Sequence, residues 1–253
     1  MAEVMQSLHR ALDILEELVK YPKGRAVREI SESLDLNKST VHRILQVLTI
    51  RGYVEQDERS KDYRIGIKAL EISGGYLQGS EIKNQAHDCL ERLCQDTGCI
   101  VHLAILSDRE VVYIDKVNGN NHWQLYSEIG KKAYIHSTGL GKAFLMTIPN
   151  DEVLYYIKKN GYIQRTSKTI MSEEALLKDL SCCRERGYAI DDEENEYGIR
   201  CVAVPVFNYK HEPIAAISAI NKIDIMKETK MVEVAVLTQK CAKEISYRLG
   251  YQE

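Results

Sequence analysis

The stretch that most constrains this chain is AVREISESLDLNKSTVHRILQVLTIRG, residues 26–52. Val27, Ile30 and Leu34 fall at i, i+3 and i+7, one apolar stripe of a short helix. Glu29, Glu32 and Ser33 take the other faces. Asp35-Leu36-Asn37 comes next as a turn. Asp tolerates left-handed backbone angles, Leu36 can anchor the turn in a core, and Asn37 is a favourable N-cap for a second helix. That helix is predicted from Lys38 to about Ile50, with Val41, Ile44, Leu45 and Leu48 buried. Lys38, Ser39, Thr40, His42 and Arg43 are left facing outward. From Asn37 to Arg51 there are three basic residues and no acid. Two short helices, a tight turn and a basic face on the second helix are the form of a helix-turn-helix. Such a helix offers side chains to phosphates and base edges in a DNA major groove. An amphipathic pair with a solvated face shows the same pattern, so the flanks must decide.

Before this stretch, Leu8, Ala11, Leu12, Leu15, Leu18 and Val19 recur at helical spacing, with Ser7 as the expected cap and Pro22 and Gly24 as breakers. After it, Gly52–Glu55 begins one extended segment and Tyr63–Ile65 ends a second, around the polar residues 56–62. Two short strands around a charged loop, directly behind a recognition helix, predict a β-wing. Arg59, Lys61 and Arg64 are expected near phosphate. The net charge of the 253 residues is -3, and residues 1–66 hold eleven Lys/Arg against eleven Asp/Glu. Distribution therefore matters more than the total. A locally basic element on a neutral domain suits a protein that binds one specific site as a dimer. It argues against a coating protein, whose affinity would rest on many phosphate contacts.

With 44% hydrophobic and 28% charged residues the chain is expected to be globular and soluble. No apolar run approaches the roughly 20 residues that a membrane span needs, and the start MAEVMQSLHR lacks the pattern of a signal peptide. Seven cysteines without CxxC spacing fit reduced thiols in a cytoplasm, not a disulfide framework or a zinc cluster. No cofactor, metal site or membrane partner is expected.

Further along, Gly66–Gln78 is predicted helical, weakened by Gly74-Gly75 by about a kcal/mol per glycine. Ser80–Thr97 is a second amphipathic helix, closed by Gly98. Strands are expected at Ile100–Leu106, Val111–Val117, Trp123–Tyr126, Tyr188–Asp191, Cys201–Asn208 and Pro213–Ile220, with Lys131–His136 extended. Helices are expected from Ser137 through Met146, at Asp151–Lys159, at Ser172–Arg186, and from about Thr229 to Leu249 with Val232, Val236, Ile245 and Leu249 on one side. Helices around sequential hairpins give an α+β domain. Gly139-Leu140-Gly141-Lys142 suggests a phosphate loop, but that motif requires Gly at 136 and Ser or Thr at 143, where the chain has His136 and Ala143. What survives is a glycine-containing helix start suited to a small anion. Asp192, Glu193, Glu194 and Glu196 are expected to form a solvated charged loop. Cys201 by itself suggests a small buried side chain. A thiol dyad with His102, His136 or His211, or a metal site among His87, Cys89, Cys94 and Cys99, has no supporting signature.

Four segments in order, SLHRALDILEEL, KSTVHRIL, RGYVEQD and YRIG, resemble the DNA-binding half of the IclR family of bacterial transcriptional regulators. The departures are Asp35 and Asn37, where members often have Gly and Pro. VVYIDKV, IGKKAYIHSTGLGKAFL, QRTSKTI, RERGYAIDDEENEYGIRCVAVPVF and AAISAI extend the resemblance over nearly the whole chain. It implies a winged helix-turn-helix over 1–66, a linker helix over 67–79 and a GAF-like α/β effector-binding domain over 80–253. It also implies effector contacts from the backbone of Gly139 and Leu140 and from Asp191, Cys201 and Ser218. The expected function is a homodimeric or homotetrameric repressor on a pseudo-palindromic operator of double-stranded DNA. A small-molecule effector, a keto acid or sugar acid, would control it. The alternatives are a GAF-like enzyme using Cys201 and a constitutive DNA-binding protein without effector.

Overall fold

The computed structural model describes residues 5–119, 125 and 127–252. The chain folds as two compact units, Met1–Gly79 and Ser80–Glu253. No helix among the described residues is long and apolar enough to cross a membrane.

The first unit runs α1 (Gln6–Val19), α2 (Val27–Ser33), α3 (Lys38–Ile50), β1 (Val54–Gln56), β2 (Tyr63–Ile65) and α4 (Lys68–Gln78). Ile14, Leu18, Ile30, Val41, Leu45, Leu48, Val54 and Tyr63 make its core. The turn before α3 forms as its residue types demand. Asp35 is left-handed at φ 50, and Ser31 Oγ donates to the Leu36 carbonyl at 2.5 Å. Asn37 holds the N-cap position without a side-chain cap bond. Ser7 is not a cap: α1 starts one residue earlier, behind Met5, again with no side-chain cap bond. The wing is an antiparallel pair with Glu55 opposite Arg64. Its loop is closed by the Asp57 carboxylate, which accepts from the Arg59 and Ser60 N–H groups at 2.9 Å.

One residue ties these pieces together and was invisible in the apolar pattern. Glu17 is buried on α1. Its carboxylate accepts from Lys20 at 2.9 Å, from Ser33 Oγ at 2.6 Å and from Arg25. Ser33 ends α2, and Arg25 bridges to Tyr63 of β2. The Lys20 hydrogen bond, foremost, holds the Glu17 carboxyl below the usual range.

The second unit runs α5 (Glu81–Thr97), β3 (Ile100–Ser107), β4 (Glu110–Val117), β5 (Lys132–Ala133), α6 (Gly139–Leu145), α7 (Asn150–Asn160), α8 (Glu173–Arg186), β6 (Ala189–Asp192), β7 (Ile199–Phe207), β8 (Pro213–Lys222) and α9 (Glu228–Arg248). The sheet order is β5-β4-β3-β8-β7-β6, and every pair is antiparallel. Asp108 and Arg109 both take positive φ, the geometry that a two-residue hairpin between β3 and β4 favours. Of the extended stretch expected at Lys131–His136, only Lys132–Ala133 pairs as a strand. Of the strand expected at Trp123–Tyr126, residues 123, 124 and 126 lie outside the described residues.

The face of α9 differs from expectation. Val232 and Val236 are 53% and 59% exposed, while Val234, Ala235, Thr238, Cys241, Ala242 and Ile245 are buried. Two stripes of this helix are apolar enough to compete. The stripe with small side chains at its centre is the one buried, and counting apolarity alone passes over Thr238 and Cys241.

Glycine substitutions in the two units should therefore move stability in opposite directions. A Cβ on Gly141 would lie 2.1 Å from the backbone oxygen of Ile135, whereas Gly74 in α4 has nothing within 4 Å. Gly141→Ala is expected to destabilise by at least about 2 kcal/mol. Gly74→Ala should stabilise by about 0.5–1 kcal/mol through helix propensity. Denaturant melts of the full chain check both signs.

Candidate functional site

Two places in the molecule combine exposed or unpaired polar groups with a fixed scaffold: the outer face of α3 with the wing, and a cavity in the sheet unit. On α3, Lys38, Ser39, His42 and Arg43 are exposed and Thr40 is half-buried. Three nearby acids are engaged by partners of their own, while Asp35 in the turn is exposed. Glu29 accepts from the Ala26 N–H, Glu32 pairs with Arg28 at 2.7 Å, and Glu17 is engaged by Lys20, Arg25 and Ser33. Among the described residues no acid forms an ion pair with Lys38 or Arg43. The neutral total of this unit thus hides a basic helix start. Arg59 and Lys61 are exposed on the wing loop. Arg64 is exposed too, but its guanidinium is held 2.6 Å from Glu55 on the opposite strand.

The cavity has a volume of about 140 Å³, comparable to the roughly 150 Å³ that accommodates a benzene-sized molecule. It is lined by all five residues expected to meet an effector: Gly139, Leu140, Asp191, Cys201 and Ser218. The sheet register explains the convergence. Asp191 pairs with Cys201 across β6 and β7, and Cys201 pairs with Ile220 across β7 and β8. Ser218 is two residues from Ile220 and so projects from the same face. Onto this face comes the start of α6. A Cβ on Gly139 would sit 2.6 Å from Cys201 Sγ, so only glycine lets the helix start approach β7 this closely. Thr138 caps α6, its hydroxyl accepting from the Gly141 N–H at 3.1 Å. Tyr113, Ser127, Tyr134, Arg165 and Asn195 add further polar groups to the wall.

Burial sets the protonation of these groups. The Asp191 carboxyl is pushed up from 3.8 to about 7, chiefly by desolvation and then by the charge of Glu194, against the pull of Lys142. Its Oδ1 accepts from the Glu194 and Asn195 N–H groups at 2.8 and 3.3 Å. Burial also pushes the Cys201 thiol up, and Asp191 adds to this, while backbone hydrogen bonds from Asp191 and Gly139 work the other way. A thiol raised by burial is the opposite of an activated nucleophile, so the protonation state of Cys201 argues against the thiol-enzyme alternative.

Sequence reasoning missed the group that holds the cavity walls. Lys142 has no exposed surface. Its ammonium lies 2.9 Å from Asp179 Oδ2 and 2.5 Å from Glu194 Oε1. Glu194 is therefore not part of a solvated acidic loop, as expected from the run DDEENE, but buried at 7% exposure. Its neighbours are also paired: Asp192 with Arg200 at 2.7 Å and Glu193 with Lys168. The only hint of this in the sequence was a lysine directly after a glycine turn.

Comparison with known proteins places both halves together. Residues 7–58 match the model described as the IclR helix-turn-helix domain. Residues 74–247 match that described as bacterial transcriptional regulator IclR C-terminal. The HTH-type transcriptional regulator XynR of Escherichia coli is 36% identical, over 98% of this chain and 98% of its own. The transcriptional repressor IclR of Escherichia coli is 32% identical over 97% of this chain and 90% of its own. The crystal structure of the Thermotoga maritima IclR superposes with a TM-score of 0.78 at 36% identity, covering 98% of this chain and 100% of that one.

The raised Asp191 carboxyl has a thermodynamic consequence. The folded chain binds this proton more tightly than the unfolded chain, so stability falls as pH rises through the window from about 4 to about 7. Asp191→Asn, whose amide oxygen can keep the two backbone bonds, removes that dependence. The variant should be more stable than the parent at pH 8 by a few kcal/mol, with the gap closing towards pH 4. Thermal melts across this range test the sign. A gap that stays constant with pH would show that Asp191 is ionised throughout.

Proposed function

The chain belongs to the IclR family of bacterial transcriptional regulators, and from that premise we propose that it is a repressor whose operator affinity is set by a small keto acid or sugar acid. In this reading residues 1–66 bind DNA, 67–79 link, and 80–253 hold the effector. Lys38, Ser39, Thr40, His42 and Arg43 enter the major groove, and Arg59, Lys61 and Arg64 meet phosphates. The observation that carries the reading is the pairing, in one chain, of an exposed basic helix start with a small cavity lined by polar groups. That cavity draws Gly139, Leu140, Asp191, Cys201 and Ser218 from separate elements. Its size and its mixture of hydroxyl, amide and carboxyl groups suit a small acid with oxygen substituents. The Escherichia coli relative that carries the name of repressor supports the sign of control.

A homodimer or homotetramer is part of the proposal. Leu8 and Leu12 on α1 and Leu70, Ile72 and Tyr76 on α4 are all about half exposed or more. Apolar side chains in such number on one small unit favour a protein partner. A two-fold assembly would read a pseudo-palindromic operator, in the cytoplasm. Ligand and operator are then linked: whatever factor the ligand changes in DNA affinity, DNA changes in ligand affinity.

Two substitutions separate the two ends of this proposal. With an operator selected from a random duplex pool, Arg43→Ala should weaken binding by roughly 5- to 150-fold, the worth of one base-reading contact. Anisotropy titration reads this, and an unchanged affinity would remove α3 from the groove. Asp191→Ala should leave operator affinity without ligand as in the parent, yet abolish its response to whichever keto or sugar acid shifts the parent's melting temperature. An undiminished response would take Asp191 out of the effector site.

A further inference from the structure

The β3 side of the cavity carries a polar pair, His102 and Ser127, that the assigned effector contacts do not include, beside Ser218, which they do. His102, in β3, has no exposed surface. Its Nε2 lies 2.9 Å from Ser127 Oγ, and Ser127 lines the cavity. Lys116, opposite His102 on β4, holds Ser127 from the main chain, donating to its carbonyl at 2.6 Å. On its other side His102 is paired in register with Ser218. The two side chains therefore share the sheet face that carries Cys201. Among the described residues neither Ser218 Oγ nor His102 Nδ1 has a hydrogen-bond partner. Buried polar atoms are nearly always paired in native proteins, and the unpaired Ser218 Oγ in the cavity wall marks a place built for a polar guest. Desolvation, helped by the charge of Lys116, pushes the imidazole down to about 3. His102 is thus a neutral hydrogen-bonding group and not a cation. Cys201 stands on β7, two strand spacings or about 10 Å away.

We propose that Ser127, positioned by His102 and standing beside the effector contact Ser218, forms a second polar subsite that reads a hydroxyl or carbonyl oxygen at the end of the ligand remote from its acid group. The proposal rests on the effector assignment of the cavity and narrows its ligand class. It favours a short acid with a terminal hydroxyl or oxo group over the plain acid, or over the isomer with its hydroxyl beside the carboxylate.

The test is calorimetry of the full chain with pentanoate, 2-hydroxypentanoate and 5-hydroxypentanoate. The 5-hydroxy acid should bind on the order of tenfold tighter than pentanoate, the worth of one buried hydrogen bond, and tighter than its 2-hydroxy isomer. Ser127→Ala should bring the 5-hydroxy preference close to one while keeping pentanoate affinity. His102→Gln, whose amide can still reach Ser127, should keep part of the preference that His102→Leu loses. If His102→Leu does not fold, Ser127→Ala decides alone. A parent without 5-hydroxy preference, or a preference that survives in Ser127→Ala, overturns the subsite and leaves the effector assignment standing. Failure of all three acids to bind overturns the assignment of the cavity to acids, and the subsite with it.

Discussion

A lysine with no exposed surface is tolerated only if its charge is matched where it sits. Lys142 meets that condition with Asp179 of α8 and Glu194 of the loop after β6. Loss of either carboxylate would leave a buried charge partly uncompensated. Three elements distant in sequence are thereby held to one arrangement, and that arrangement makes the cavity. The start of α6 brings Gly139 and Leu140, the end of β6 brings Asp191, and the loop after it brings Asn195. The loop is fixed from outside as well, since the Thr166 and Thr169 hydroxyls donate at 2.6 Å to the carbonyls of Glu193 and Glu194. Desolvation raises the Glu194 carboxyl while Lys142 lowers it. The same pair of effects acts on Asp191, which has no ion pair among the described residues and whose carboxyl is pushed up to about 7.

The sheet supplies the other walls through its two-residue period. Asp191, Cys201, Ile220 and Ser218 come to one side because register and alternation leave no other choice. The small side chain of Ala203, and the absence of one at Gly139, then allow α6 to settle onto β7. Chemistry at this site is consequently a matter of spacing: polar groups are placed by backbone hydrogen bonding, and the ion triad locks the covering helix.

Much of this was legible in the sequence, for identifiable reasons. Helix periodicity, turn residues such as Asp35, and breakers such as Gly98 and Gly187 act locally, so a window of residues contains the whole signal. What escaped was decided at long range. Nothing near Lys142 in the chain discloses carboxylates 37 and 52 residues away. Glu194 sits in an acidic run in which Asp192, Glu193 and Glu196 are partly solvated. Glu17 looks like any acid beside an apolar stripe until Arg25 and Ser33 fold back to it. On α9 the choice between two apolar stripes depended on how closely β7 could approach, which side-chain volume decides and hydropathy does not. The pocket residues were found through a family resemblance, because a lone Cys or Ser in a strand has no local signature.

The way acids are engaged in the first unit bears on the chain before it has folded. As an unfolded polyelectrolyte, residues 1–66 carry opposite charges in equal number. They have little general attraction for a nucleic acid. Folding draws Glu17 inside, ties Glu32 to Arg28 and Glu55 to Arg64, and leaves one helix start positive. Affinity for a polyanion is thus an emergent property of the native state. A nascent chain leaving the ribosome would be electrostatically silent towards the RNA around it until the unit had formed.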